Sequence, residues 1–162
     1  MGIAGFTSFS AVSRSKGSVV SRTFTLDEAQ TLLPVLDALL RRAQEQGRRC
    51  AEIEVELDQL RQQIALQGGM LVDVTHAARR RAERDRALQD TKDALSEVES
   101  IGVQIKDLEK GLLDFPCLLE GKTVLLCWKQ GEKEIAFWHS VEDGFAGRKP
   151  IDSRFGGPER PN

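Results

Sequence analysis

The residue types that could carry chemistry are concentrated in the last third of the chain. The candidate ligand-binding residues are Lys106, Asp107, Asp114, Trp128, Glu132, Trp138, His139, Gly144, Gly147 and Arg148. His139 could exchange a proton with Asp107 or Asp114. It could also bind zinc or manganese together with Glu142, because imidazole and carboxylate suit both metals. One histidine among scattered carboxylates lacks the spacing of a recognised metal motif, and it equally fits a packed core position.

Two further features of this region have alternative interpretations. Gly144 to Lys149 could hold a phosphate or carboxylate through backbone N–H groups and two cations, but it also fits a turn with Phe145 in the core. Lys106 beside Asp107, with Asp114 nearby, also fits an ion pair that fixes a hairpin. We therefore assign no catalytic residue, metal ligand or cofactor from the sequence.

Three cysteines are too few and too widely spaced for a disulfide framework or a cysteine metal motif. Cys50 and Cys127 are predicted to be small core residues, whereas Cys117 follows Pro116 in a predicted loop and is expected to be the most exposed. The odd number indicates a reducing compartment, so we predict a cytoplasmic protein.

The chain has 162 residues, enough for one domain with its own core. Its 23 Lys and Arg nearly cancel 25 Asp and Glu, leaving a net charge of −2, which is atypical of proteins that bind polyanions. The apolar runs are too short to predict a membrane span. Residues 1–22 are serine-rich and lack acidic residues, which predicts a disordered leader, a transit peptide or a misassigned start.

A long helix is predicted after the capping box of Thr25 and Glu28. Pro34 predicts either a short helix that ends at Leu33 or a kink. From residue 36 to residue 64 the apolar positions follow a coiled-coil spacing. Gly68 and Gly69 should end this helix, and Asp73 or Thr75 should cap a second one that runs to about Ser100 and packs antiparallel to the first.

Five arginines between Arg79 and Arg86 could bind nucleic acid, or they could pair with the acidic run Glu52 to Asp58 across the hairpin. If the two helices pack antiparallel and are aligned from the short connection between them, the second interpretation is favoured. It places Arg84 near Glu54, Arg80 near Asp58, Arg49 near Asp90 and Arg42 near Glu97. Binding to nucleic acid is therefore not expected.

Two strand hairpins are predicted after the helices. The first pairs residues 101–106 with Leu112 to Phe115, where Pro116 ends it. The second pairs Val124 to Lys129 with residues 134–139. With Lys129 facing Glu134, His139 shares one face with Trp128, and Cys127 shares the other with Trp138. Both faces are apolar, so we expect the helices to cover one, and a second copy, the C-terminal segment or a ligand to cover the other.

Several elements together resemble a known family. They are Phe24-Thr-Leu-Asp-Glu-Ala29, Leu32-Leu-Pro34, Gly111-Leu-Leu-Asp-Phe-Pro116, Val124-Leu-Leu-Cys-Trp128, Phe137-Trp-His139 and Gly144-Phe-Ala-Gly-Arg148. Over residues 23–151 the chain resembles the prokaryotic proteins catalogued as domain of unknown function 2203. The resemblance implies a helical hairpin followed by a small strand-rich segment, and it implies no activity, cofactor or catalytic residue.

These patterns predict an α+β fold, with a helical hairpin over residues 25–100, a sheet of three to four strands over residues 101–151, and a flexible tail over residues 152–162. The favoured function is a nonenzymatic interaction or scaffold domain that forms a homodimer through its helices and an apolar sheet face. The alternative is a small-ligand-binding or metal-dependent enzyme that uses His139, Asp107, Asp114 and Arg148.

Overall fold

The computed structural model describes residues 22–67 and 74–156. Two helices, α1 (Leu26–Leu66) and α2 (Val74–Ile101), precede five strands: β1 (Gln104–Asp107), β2 (Leu112–Leu119), β3 (Lys122–Lys129), β4 (Phe137–Ser140) and β5 (Lys149–Pro150). The strands form one antiparallel sheet in sequential order. The α+β prediction is confirmed, with five strands rather than three to four. No helix in the described ranges combines the length and apolarity needed to cross a membrane.

The first helix begins where the capping box predicts. The Thr25 hydroxyl accepts a hydrogen bond from the Glu28 backbone N–H at 3.2 Å. Pro34 does not end the helix, so a short helix ending at Leu33 is wrong. Leu36 and Leu40 on the following turns are fully buried against the sheet. Burial of such side chains, at roughly 1.5–3 kcal/mol each, offsets the hydrogen bond that proline removes.

The connection between the helices is only partly described. Gly68, Gly69 and Asp73, where a stop and a cap are predicted, lie outside the described residues. Thr75 lies within α2 rather than before it, so it is not the cap residue. The second helix ends at Ile101, and Gly102 leaves it with a φ of +103°, a conformation that glycine adopts without strain.

Ion pairs join the two antiparallel helices, but only some follow the predicted register. Arg84 pairs with Glu54 at 3.4 Å as expected. The other partners differ, because Arg80 binds Glu56 rather than Asp58, Arg49 binds Glu83 rather than Asp90, and Arg42 binds Asp90 rather than Glu97. An arginine side chain is long enough to reach carboxylates on neighbouring turns, so a register set only at the connection does not select a single partner.

The second strand runs through Pro116, so the predicted stop there is wrong. The Pro116 carbonyl accepts a hydrogen bond from the Phe24 N–H at 2.7 Å, on the edge away from β3. Within a strand, the nitrogen and carbonyl of one residue point to the same edge. The missing proline N–H therefore removes no bond to β3.

A hairpin between β2 and β3 was not predicted. Glu120 and Gly121 connect these strands with φ values of +50° and +80°, as in a two-residue type I′ turn. Because β2 continues to this turn, Cys117 lies in a strand and is buried, and the prediction of an exposed loop cysteine is wrong. Cys127 is buried as predicted, and Cys50 is partly buried.

The pairing of β3 with β4 differs by one residue from the prediction. His139 lies opposite Leu125 and Phe137 lies opposite Cys127, whereas the predicted register placed Lys129 opposite Glu134. The connection over residues 130–136 is longer than the four-residue loop expected. A slip of one residue exchanges the faces of every side chain, so His139 shares a face with Cys127.

The helices cover one face of the sheet. This helix-side face buries Leu113, Phe115, Cys117, Leu119, Val124, Leu126, Trp128 and Trp138. Both tryptophans therefore lie on one face, and their predicted placement on opposite faces is wrong. Phe24 packs edge-on against Phe115 at 5.7 Å between ring centroids. Phe155, in the segment predicted as a flexible tail, is buried beside Trp138 at 5.5 Å between ring centroids, so this residue belongs to the core.

Candidate functional site

The opposite side of the sheet, here called the open face, carries Leu112, Asp114, Leu118, Leu125, Cys127, Phe137 and His139. Asp114 of β2 lies directly opposite Cys127 of β3, and His139 of β4 reaches over them. One ligand atom from each of these three residues lies within 4.8 Å of the other two. All three are buried, at 2%, 1% and 3% exposure respectively. We call this group the Asp114–Cys127–His139 cluster.

The hydrogen bonds of His139 determine the direction of its free lone pair. Nδ1 lies 2.8 Å from the Ser140 carbonyl oxygen, which can only accept, so Nδ1 carries a proton. Nε2 lies 3.1 Å from Asp114 Oδ2. In a neutral imidazole, Nε2 would direct a lone pair at a carboxylate, which is repulsive. A cation, either a second proton or a metal ion, is therefore required between these atoms.

The Cys127 thiol is not poised for nucleophilic attack. Burial, and secondly the Asp114 carboxylate, raise the pKa of Cys127 to about 11, so the metal-free protein holds a neutral thiol at pH 7. Both nitrogens of His139 are already engaged, by Ser140 and Asp114. When a proton lies between Nε2 and Asp114, no imidazole nitrogen is left to deprotonate the thiol, which disfavours a cysteine–histidine nucleophile in that state.

A cavity of about 270 Å³ opens over the cluster. Its lining is mixed, with the apolar side chains of Leu112, Leu125, Val141 and Phe145 beside the charged side chains of Lys106, Glu142 and Asp143. Lys106 Nζ lies 4.0 Å from Asp114 Oδ2. The cavity therefore has a buried cluster at its base, one nearby cation and two exposed carboxylates at its edge.

The cluster fits a transition metal better than magnesium or calcium. Sulfur, nitrogen and oxygen donors together favour zinc, because thiolates are soft ligands and imidazole suits zinc well. The Nδ1–H bond from His139 to a backbone carbonyl is the support that metal-bound histidines usually have, since it orients Nε2 toward the ion. Three protein ligands leave a fourth position of a tetrahedral site for water or another molecule.

Arg148 and Glu132, both predicted site residues, form an ion pair beside the cavity. The Arg148 guanidinium lies 4.3 Å from the Phe137 ring centroid and 4.0 Å from that of Phe145. It also pairs with Glu132 Oε1 at 3.4 Å. These contacts fasten Phe145, a cavity wall, to β4, and they leave the Arg148 guanidinium engaged with two rings and one carboxylate.

The remaining predicted residues divide between core, turn and cavity. Trp128 and Trp138 are core residues whose indole N–H groups donate to the carbonyls of Glu132 and Pro150. Asp107 does not approach His139, since its Oδ1 accepts from the Lys110 N–H at 2.9 Å in the turn after β1. Lys106, Asp114, His139 and Gly144 line the cavity. Gly147 packs closely against Asp143, where a Cβ would lie 2.9 Å from its side chain.

The sequence reasoning missed Cys127 as a member of the site. It interpreted this cysteine as a core residue on the face opposite His139, because it paired Lys129 with Glu134. The signal that could have found it is the alternative register, which places Cys127 and His139 on the same face as Asp114.

The family model described as an uncharacterized conserved protein, DUF2203, matches residues 22–151, which confirms the resemblance in sequence. No curated protein matches the chain, and no solved structure does.

Proposed function

The chain belongs to the uncharacterized conserved protein family DUF2203, and we propose that it binds a divalent transition metal ion, zinc by preference, at the Asp114–Cys127–His139 cluster. The observation that carries this proposal is the convergence of three different ligand atoms within 4.8 Å of one another at the base of a cavity. This corresponds to the metal-binding part of the alternative considered from the sequence, with Cys127 in place of Glu142.

A metal ion explains the cluster more completely than a proton does. An imidazolium between the Ser140 carbonyl and the Asp114 carboxylate would account for the two hydrogen bonds of His139. The Cys127 thiol would then serve only as a hydrogen-bond donor to Asp114. A zinc ion uses all three side chains, and the two negative charges of Asp114 and a Cys127 thiolate neutralise its charge in a site where unpaired charge is costly.

Elemental analysis of the full chain, purified without a polyhistidine tag and dialysed against zinc, tests the proposal. We expect wild type to retain one equivalent of zinc, and Cys127→Ser and Asp114→Asn to lose most of it. Cys117→Ser is the matched control, because it alters a buried thiol on the helix-side face. Wild type without zinc, or zinc retained fully by Cys127→Ser, would contradict the proposal.

A second measurement does not depend on the variants folding. Cobalt(II) bound to a thiolate absorbs in the near ultraviolet through charge transfer from sulfur. We expect this band when wild-type protein is titrated with cobalt, together with the visible bands of a four-coordinate ion. Visible bands without sulfur charge transfer would place the metal elsewhere in the chain.

We also propose self-association through the open face, as a second function of a different class. Leu118 and Val141 are 61% and 63% exposed, and Phe145 is 39% exposed. Exposed apolar side chains at one surface favour burial against a partner, and a second copy would supply the homodimer expected from the sequence. Light scattering should give the mass of a dimer for wild type and of a monomer for Leu118→Asp. A monomeric wild type at micromolar concentration would overturn this proposal.

We also propose that the protein resides in a reducing compartment. Cys50, Cys117 and Cys127 are all free thiols. Free buried thiols support a reducing compartment such as the cytoplasm.

A further inference from the structure

We propose that the cavity takes a small monocarboxylate with an apolar chain, and that its carboxylate completes the coordination of the metal beside Lys106. This inference rests on the proposed metal site. It goes further by assigning the fourth coordination position and the chemical class of the molecule that fills it.

The fourth position of the metal faces the cavity rather than the protein core. Asp114, Cys127 and His139 all project from the open face of one sheet, so the sheet itself lies behind the ion. The same three residues line the base of the cavity. A molecule that reaches the remaining coordination position must therefore enter through this space.

The charges around the cavity favour a single negative charge on the ligand. Asp114 and a Cys127 thiolate balance a divalent ion, which leaves Lys106 as the cation among the lining residues, with Nζ 4.0 Å from Asp114 Oδ2. A carboxylate can bind the metal through one oxygen and Lys106 through the other. Glu142 and Asp143 at the rim would repel a second negative charge at the far end of the molecule.

The walls favour an apolar remainder. Leu112, Leu125, Val141 and Phe145 supply the apolar part of the cavity lining. The volume of about 270 Å³ is slightly below the range of drug-sized pockets, about 300–1,000 Å³, so it suits a short chain. Apolar walls combined with a few placed polar groups are the usual composition of a small-molecule site.

Three six-carbon probes, added to the cobalt-loaded full-length protein, separate the effect of one carboxylate from the effects of no charge and of a second carboxylate. Hexanoate carries one carboxylate, hexanamide carries none, and adipate carries two. We expect hexanoate to shift the visible cobalt bands saturably, hexanamide to leave them unchanged, and adipate to bind about tenfold more weakly than hexanoate.

Lys106→Met removes the cation and leaves the three proposed metal ligands in the chain. We expect the variant to bind hexanoate about tenfold more weakly than wild type does, with each protein's own cobalt spectrum as its starting point. Lys122→Met is the matched control, because Lys122 is exposed at the first residue of β3, opposite Leu119 of the helix-side face. This variant should bind hexanoate as wild type does.

The outcomes distinguish the two proposals. Absence of cobalt bands in wild type would overturn the metal site and this inference with it. Normal cobalt bands that hexanoate leaves unchanged would overturn the inference alone. So would an equal response to hexanamide, adipate binding as tight as hexanoate, or unaltered hexanoate binding in Lys106→Met.

Discussion

For single residues, the proposed metal binding depends on which ring nitrogen of His139 carries a proton. The Ser140 carbonyl fixes a proton on Nδ1 of His139 and so directs Nε2 toward Asp114 and Cys127. A histidine with the opposite tautomer would present N–H to the carboxylate and leave no lone pair for a metal. The backbone of β4 thus prepares the imidazole as a ligand before any ion arrives.

Cys127 should make the metal-free protein sensitive to alkali. Its pKa is raised from 9.0 to about 11 by burial, so the folded state keeps the thiol proton after the unfolded chain has lost it. The stabilisation is complete below pH 9 and disappears as pH rises through 11, by roughly 2 kcal/mol. We expect chemical denaturation at a series of pH values to show this fall in wild type.

The Cys127→Ala variant provides the comparison. Its free energy of unfolding should be lower at neutral pH, because a buried side chain is removed, yet it should fall less between pH 9 and pH 11. Parallel curves for the two proteins would show that Cys127 does not titrate with the raised pKa.

Gly111 should tolerate substitution worse than Gly121. Both have positive φ, at +69° and +80°, so alanine is strained at either position. At Gly111 a Cβ would also collide with the Gln130 side chain, whereas at Gly121 it would meet nothing within 4 Å. Gln130 joins the hairpin to α1 through hydrogen bonds with Gln44 and Asp37.

We expect Gly111→Ala to lower the free energy of unfolding by about 1–3 kcal/mol more than Gly121→Ala does. Urea denaturation of the two variants measures the difference. Equal losses would mean that Gln130 moves aside without cost.

At the scale of elements, the sequence predicts local features better than pairings. The capping box at Thr25 and the hairpin that leads into Leu112 depend on residues close in sequence, and both are observed. Register depends on contacts between distant residues, and the β3–β4 pairing was wrong by one position. That slip kept His139 and Asp114 as candidates but hid Cys127, because a strand alternates its faces with every residue.

The fold class could be predicted because helical and strand periodicities occupy separate parts of the chain. The elements that the sequence did not predict have weaker sequence patterns. Glu120 replaces the usual Asn or Asp of a two-residue hairpin turn, and β5 has only two residues. Pro116 was expected to end β2. Only the hydrogen bond from the Phe24 N–H to the Pro116 carbonyl shows that the nitrogen of this proline faces the edge away from β3.

The helix register predicts which charged residues couple. Arg42 Nη2 lies 3.2 Å from Asp90 Oδ1, and the register anchored at the connection would instead pair Arg42 with Glu97. We expect a double-mutant cycle with alanine at Arg42 and Asp90 to give a coupling of about 0.2–1 kcal/mol, because both side chains are half exposed.

The same cycle with Arg42 and Glu97 is the control and should give no coupling beyond about 0.3 kcal/mol. Both cycles are measured by chemical denaturation at low ionic strength, where exposed pairs contribute most. Coupling of Arg42 to Glu97 rather than Asp90 would contradict the observed register.

At the scale of the whole molecule, the two faces of the sheet have different roles. The helix-side face is a continuous apolar core under α1 and α2, and it includes both tryptophans. The open face carries the buried cluster and the cavity, with residues 141–145 along one side. The net charge of −2 conceals local pairing, since Arg80 and Arg84 of the basic run bind Glu56 and Glu54 on α1.

X-ray absorption at the zinc edge of the zinc-loaded full chain identifies the ligands of the proposed site. We expect a four-coordinate ion with one sulfur at about 2.3 Å and the other ligands, nitrogen and oxygen, at about 2.0–2.2 Å. The sulfur shell should vanish in Cys127→Ser and persist in Cys117→Ser. A zinc ion surrounded only by nitrogen and oxygen in the wild-type protein would contradict the account.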